Sequence, residues 1–129
     1  MLKKTFVVIV ASIAVLAAGQ SAAAQTKVRV RFNPGTSGGT YAGVVKGYKY
    51  RDYLIPAKGG QTLFVKLTTS HEGLEFIVRN PSGENLTNGE TEFSTALERS
   101  GTYVVRVLMP RAYARRRESA VFKITFRID

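Results

Sequence analysis

A serine motif with two polar residues downstream is the arrangement in this sequence closest to a catalytic one. Residues 35–39 read Gly-Thr-Ser-Gly-Gly, which is the spacing of a hydrolase nucleophile at Ser37, and Asp52 and His71 follow in the chain order of a catalytic triad. Such a serine needs a strand before it and a helix after it, whereas this segment leads into the strand-like residues 41–46. We therefore interpret residues 35–39 as a flexible glycine turn.

The single histidine and the glutamates are the other candidates for chemistry. His71-Glu72 begins like the zinc-binding sequence H-E-x-x-H, but Glu75 stands at the position of the second histidine. Glu72 with Glu75, or Glu90 with Glu92, could supply the carboxylate pair of a glycosidase, which requires a substrate cleft between two carboxyl groups. A sandwich of this length has little room for one. We expect no enzymatic activity, no metal and no cofactor, and we expect His71 to be a solvated loop residue.

Two segments rich in tyrosine and arginine are the stronger candidates for a functional surface. Residues 46–53 read Lys-Gly-Tyr-Lys-Tyr-Arg-Asp-Tyr, and residues 111–117 read Arg-Ala-Tyr-Ala-Arg-Arg-Arg. Tyrosine offers a large contact area at low entropic cost, and arginine offers a planar fork that can hold a carboxylate. The tyrosines also suit ordinary strand positions, so both interpretations stay open for them. Four arginines within seven positions repel one another without an anionic partner, which favours a binding role over a solvated loop.

The composition of the chain bounds the kind of protein that presents these segments. It has 129 residues, 44% of them hydrophobic, no cysteine and a formal net charge of +10. This length predicts one modest domain, and the lack of cysteine means that core packing alone must stabilise it. The charge favours an acidic partner.

The N-terminal residues 1–24 predict a cleaved secretory signal peptide. Lys3 and Lys4 precede the apolar run 6–18, and three alanines at 22–24 form the cleavage site. The run is shorter than the roughly 20 residues that span a bilayer. We therefore expect an exported domain of residues 25–129, with no membrane insertion and no nucleic-acid partner.

The dominant periodicity of the predicted domain is two, which indicates strands. Residues 27–32 and 120–128 alternate apolar and polar side chains, and glycine or proline turns separate further candidates at 41–46, 48–55, 61–69, 74–79, 91–97 and 101–108. Residues 111–118 are flanked by Pro110 and too polar to bury a face, which predicts an exposed loop or one short turn. About eight short strands without long helices predict an all-β, single-domain antiparallel β-sandwich.

The chain resembles the periplasmic inhibitors of goose-type (g-type) lysozyme of Gram-negative bacteria over most of residues 25–129. The segments that carry the resemblance are Phe32, Ser37, 41–43, 46–50, Tyr53, 57–61, 100–103, 106–108, Arg111 and 114–115. The Gly-Tyr-x-Tyr block and the Arg-Val-Leu strand followed by Arg-x-x-Ala-Arg are the more specific of these. The pieces at 57–61 and 100–103 also resemble small sandwich domains appended to secreted peptidases.

The resemblance implies a compact β-sandwich, without cofactor, that inserts loops into the substrate cleft of a g-type lysozyme and so protects peptidoglycan. It implies a lysozyme-binding surface of Arg111, Arg115, Tyr48, Tyr50, Ser37, Tyr41, Tyr113 and Arg116. In this interpretation Ser37 and Tyr41 lie on a loop beside the arginines. The alternative is a non-catalytic β-sandwich module that binds a glycan or a cell surface, and the chain is expected as a monomer or weak homodimer.

Overall fold

The computed structural model describes residues 26–32 and 37–129, so the predicted signal peptide 1–24 lies outside the described residues. Eight strands and one short helix form this part of the chain. In chain order they are β1 Thr26–Arg29, β2 Gly38–Lys46, β3 Arg51–Ala57, β4 Thr62–Thr69, β5 Glu75–Arg79, β6 Glu92–Ala96, β7 Gly101–Leu108, α1 Arg111–Ala114 and β8 Ser119–Ile128.

The strands form two four-stranded sheets. The first sheet has the order β1-β3-β7-β5 and the second β2-β8-β4-β6. Every pair is antiparallel except β1 with β3, which run parallel from Thr26 beside Arg51. Parallel neighbours need a crossover connection, and here the chain between β1 and β3 crosses to the second sheet, where it forms β2. The predicted antiparallel sandwich is confirmed, with β1 as its one parallel strand.

The core lies between the sheets and follows from the period-two pattern. On β8 the side chains of Phe122, Ile124, Phe126 and Ile128 are buried, while the residues between them face outward. Tyr53 from the opposite sheet is also buried, and its ring centroid lies 5.3 Å from that of Phe126. Each fully buried side chain of this size contributes about 1.5 to 3 kcal/mol. Such packing stabilises a chain that has no disulfide.

The connection between β7 and β8 contains α1, a single turn that begins at Arg111 after Pro110. Pro110 is the N-cap of this turn, and its carbonyl accepts a hydrogen bond of 2.9 Å from the Ala114 amide. The predicted single short turn at 111–118 is confirmed, but the expectation that the segment buries no face is wrong, because Ala114 is fully buried and Tyr113 packs against the core. No helix within the described ranges is long and apolar enough to cross a membrane.

Candidate functional site

The two tyrosine- and arginine-rich segments lie side by side at one end of the sandwich. One is the tyrosine turn, residues 46–50, between β2 and β3. The other is the arginine loop, residues 110–118, between β7 and β8. Lys46 pairs with Ser119 where β2 ends and β8 begins, and the Gly47 amide donates a hydrogen bond of 2.9 Å to the Glu118 carbonyl. The φ angle of +61° at Gly47 favours glycine. Register and turn geometry therefore join the segments into one surface.

A cleft of about 770 Å³ separates the tyrosine turn from the arginine loop. Its lining consists of Lys46, Gly47, Tyr48, Lys49, Tyr50, Ala114, Arg115 and Arg117. Four of these residues are cations and two are tyrosines, and no carboxylate of the described chain lines it. The positive charges raise the local concentration of anionic groups and attract them from solution.

The two tyrosines of the turn have different environments. Tyr48 is 66% exposed and is one of the most exposed large apolar side chains of the described residues. Tyr50 is half-buried, and the guanidinium carbon of Arg106 lies 4.0 Å from its ring centroid. A cation this close over an aromatic face holds the ring in place. Tyr48 therefore projects into solvent, whereas Tyr50 is fixed against the first sheet.

Arg106 is itself held by a buried carboxylate. Asp52 is 4% exposed and accepts two hydrogen bonds from Arg106, from Nε at 2.8 Å and from Nη2 at 3.1 Å. The paired hydrogen bonds make this a bidentate ion pair. Hydrogen bonding to Asp52 raises the pKa of Arg106 above its ordinary value. Through Arg106 and Asp52, Tyr50 is therefore linked to strands β7 and β3. The spacing of these residues in the sequence did not indicate this link.

His71 fixes the base of the arginine loop. The Gly73 amide donates to His71 Nδ1 at 3.0 Å, which leaves Nε2 to donate to Glu118 Oε1 at 2.8 Å. This hydrogen bond, aided by the nearby Arg116 guanidinium, lowers the pKa of Glu118 below its ordinary value. The His71 side chain is only 13% exposed. The expectation of a solvated loop histidine is therefore wrong, because a partner 47 positions along the chain buries it.

Tyr113 packs the middle of the loop onto the same base. Its half-buried ring meets the His71 ring edge-on, with centroids 5.0 Å apart. It also lies over Gly73 so closely that a Cβ there would collide with the ring. Tyr113 thus anchors the loop to the sandwich, in addition to any role as a contact for a partner.

The arginines of the loop divide into paired and unpaired ones. Arg116 Nη2 contacts Glu118 Oε2 at 2.8 Å, and its guanidinium lies 5.4 Å from the Tyr113 ring centroid. Arg111, Arg115 and Arg117 are exposed, and among residues 26–32 and 37–129 none of their side chains has an ion-pair partner. Arg115 and Arg117 line the cleft, whereas Arg111 lies at the start of α1 outside its lining.

Lys46, Lys49 and Arg117 belong to the cleft although the sequence did not single them out as binding residues. All three stand in the two basic runs, so the charge pattern was the available signal. The chain reverses at Arg117, which has a positive φ of 57° that is uncommon for a residue with a side chain. That reversal turns Arg117 to the cleft while Arg116 turns to Glu118.

Ser37 and Tyr41 do not lie beside the arginine loop. The Ser37 carbonyl accepts a hydrogen bond from the Ile128 amide at 2.8 Å, so Ser37 stands at the opposite end of β2, about 30 Å along the strand at 3.3 Å per residue. Tyr41 stands in mid-strand, and its hydroxyl donates to the Arg31 carbonyl and accepts from the Arg31 amide. The expected neighbouring loop is therefore wrong, because β2 carries both residues away. Their contact with an enzyme stays a prediction.

The hydrolase match finds no support in the described geometry. Asp52 is bonded to Arg106, and His71 is bonded to Glu118, so the two residues do not form a base and its orienting partner. Residues 35 and 36 of the motif lie outside the described residues. Within the described part of the chain no group of three or more acidic or histidine side chains could hold a metal ion.

These features define a class of protein: a small β-sandwich that presents a cationic, tyrosine-bearing surface at one end. No family model matches the sequence. The inhibitor of g-type lysozyme of Escherichia coli (strain K12) is 32% identical to the chain over 115 residues, which cover 84% of this chain and 85% of that protein.

Two solved structures have the same fold. The periplasmic g-type lysozyme inhibitor PliG of Aeromonas hydrophila matches with a TM-score of 0.75 and 31% identity, over 81% of this chain and 96% of that one. PliG of Salmonella Typhimurium matches with a TM-score of 0.67 and 27% identity, over 81% and 98%. The chain belongs to the family of periplasmic inhibitors of g-type lysozyme. The resemblance inferred from the sequence is confirmed.

Proposed function

We propose that this protein inhibits a g-type lysozyme by placing the tyrosine turn and the arginine loop in the enzyme's substrate cleft. The observation that carries the proposal is the joined surface at one end of the sandwich, with four cations and two tyrosines around one cleft. The names of the related inhibitors support the target enzyme. Inhibition then follows from occupancy, because a cleft that holds these side chains cannot bind peptidoglycan.

The recognition chemistry is the meeting of guanidinium groups with carboxylates. A glycosidase cleft contains acidic residues for catalysis, and their charges are only partly hydrated there. Arg111 and Arg115 carry the principal contacts in this proposal, and Arg117 joins them as a third arginine without an ion-pair partner in the described chain. Because these three arginines form no ion pair in the described chain, no existing ion pair has to be broken when they bind the enzyme's carboxylates.

The tyrosines provide the apolar part of the contact. Tyr48 is exposed before binding, so covering its ring removes apolar area from water at about 25 cal/mol per Å². Tyr50 is fixed by Arg106, so it loses little freedom when the enzyme docks. Tyr113 and Arg116 contribute chiefly by holding the loop, with Arg116 also steering association by its charge.

Binding measurements on arginine variants test the proposal. Arg115→Ala and Arg111→Ala should each weaken the complex by about 2 to 5 kcal/mol where the truncated arginine leaves a carboxylate unpaired. Arg127→Ala is the matched control, because it removes the same charge from an exposed arginine at the far end of β8. It should change the affinity by less than about 1 kcal/mol.

The outcomes separate the proposal from its alternative. Equal affinities of Arg111→Ala, Arg115→Ala and the wild type for the enzyme would show that the arginine loop does not enter the enzyme's substrate cleft. Sedimentation with purified peptidoglycan distinguishes the glycan-binding alternative, because an inhibitor binds the enzyme and ignores the polymer.

A further inference from the structure

Arg51 occupies a position where the alternation of β3 calls for an apolar side chain. It lies on the same face of the strand as Tyr53 and Ile55, which are buried in the core. Its guanidinium reaches across to β2 of the opposite sheet, where a Cβ on Gly43 would collide with Arg51 Nη1 and with the Phe122 ring. The lack of a side chain at Gly43 thus makes room for a cation at the edge of the sandwich.

The polar atoms around this cation are incompletely satisfied. Arg51 Nε and Tyr53 Oη are both buried and neither has a hydrogen bond of ordinary geometry, although the two side chains are close enough for Arg51 to offset part of the burial that raises the pKa of Tyr53. Within the described ranges no carboxylate forms an ion pair with Arg51, and the adjacent Asp52 is committed to Arg106. A buried donor without a well-placed acceptor is costly, so such a group favours a ligand, ion or water beside it.

A small cavity adjoins Arg51 beside the tyrosine turn and shares Lys46, Lys49 and Tyr50 with the main cleft. Its volume is about 120 Å³, which is room for several water molecules. The residues around it are Thr26, Val44, Val45, Lys46, Lys49, Tyr50 and Arg51. The polar members are three cations and two hydroxyls, and no carboxylate is among them.

We propose that this cavity binds a small tetrahedral oxyanion, of the size of phosphate or sulfate, through Arg51, Lys46 and Lys49. The planar guanidinium can give two parallel hydrogen bonds to such an ion, and the two ammonium groups complete its neutralisation. The bound ion also offsets the repulsion of three neighbouring cations. The site shares Lys46, Lys49 and Tyr50 with the proposed enzyme-binding cleft, but it is tested without the enzyme, so its failure and that of the proposed inhibition are distinguishable.

Titration calorimetry of the full mature protein with inorganic phosphate, at constant ionic strength, tests the site. Wild type should bind one phosphate per chain. The double variant Lys46→Gln/Lys49→Gln should weaken binding by at least about tenfold, because two charge-assisted contacts are lost. Lys66→Gln/Lys123→Gln is the matched control, since it removes the same charge from β4 and β8 and should change the affinity by less than about twofold.

Arg51→Gln should abolish the saturable heat. If that variant does not fold, the lysine pair and its control still decide the question. Absence of saturable binding by wild type up to about 10 mM phosphate would overturn the proposal. Equal losses in both lysine double variants would also overturn it, because they would indicate diffuse charge attraction. Acetate binding as strongly as phosphate would overturn the assignment to a tetrahedral ion.

Discussion

Gly73→Ala tests whether the base of the arginine loop sets the geometry of the inhibitory surface. The substitution removes no side chain that is proposed to contact the enzyme. The backbone at Gly73 is not in the left-handed region, so the strain arises from the collision of the new Cβ with the Tyr113 ring. Tyr113 must move, and it carries the arginine loop with it.

The expected magnitude follows from that collision. Insertion of a methyl group into a packed site costs typically about 1 to 3 kcal/mol. Because Tyr113 is only half-buried, part of the strain is released by moving the ring and loop outward, so we expect a loss of unfolding free energy near 1 kcal/mol. Displaced arginines should weaken enzyme binding about tenfold or more, since a small misplacement breaks bidentate contacts.

Urea denaturation and inhibition constants measure the two effects. Gly39→Ala is the matched control, because a Cβ there would meet Phe32 at an ordinary 3.6 Å and lies far from the loop. In a Tyr113→Ala background the effect of Gly73→Ala should vanish, as the collision partner is gone. Gly73→Ala that leaves both stability and inhibition at wild-type values, or that acts equally with Tyr113 removed, would refute the reasoning.

Three further predictions concern single side chains. Tyr48→Ala should weaken enzyme binding about tenfold while changing the unfolding free energy by less than about 0.5 kcal/mol, because the ring is exposed. Calorimetry measures the change in binding, and urea denaturation measures the change in stability. The pKa of Glu118 is lowered from 4.5 in the folded protein, so its stabilising effect is complete above about pH 4.5 and is lost as the pH falls through the folded value. Urea denaturation between about pH 3 and 6 should show a steeper decline for wild type than for Glu118→Gln, and parallel curves would contradict this. Burial and the neighbouring Glu90 raise the pKa of Glu75, which means that its charged form is disfavoured in the folded protein. Glu75→Gln should therefore stabilise the protein at pH 7 by about 0.3 kcal/mol after solvent screening, and this gain should disappear in acid. An unchanged or lower melting temperature of the variant at pH 7 would contradict the prediction.

Much of the fold could be predicted from the sequence because its signal is local. Phe122, Ile124 and Phe126 alternate with polar residues, and this period places them in the core whatever the partner strands are. Pro110 and the polar residues after it likewise end β7 and restrict the connection to one turn. The parallel pairing of β1 was not predictable, since period-two alternation is the same in parallel and antiparallel neighbours.

The site could be predicted only in part because its contacts are distant along the chain. The basic and aromatic runs identified both segments, and β-sheet register then brought them together. The His71 bond to Glu118 joins positions 47 apart, so no spacing revealed it. The resemblance to the inhibitor family implied that Ser37 and Tyr41 lie on a loop beside the arginines, but the length of β2 separates them from that loop. Arg51 broke the apolar pattern of β3 without revealing that Gly43 makes room for it.

The lysis of cell walls by purified lysozyme, followed by turbidity with and without residues 25–129 of this chain, tests the central claim most directly. A g-type enzyme should be inhibited, while c-type and i-type enzymes run in parallel should retain their rates. Unimpeded lysis by the g-type enzyme, or equal slowing of all three enzymes by a merely basic protein, would contradict the proposed inhibition.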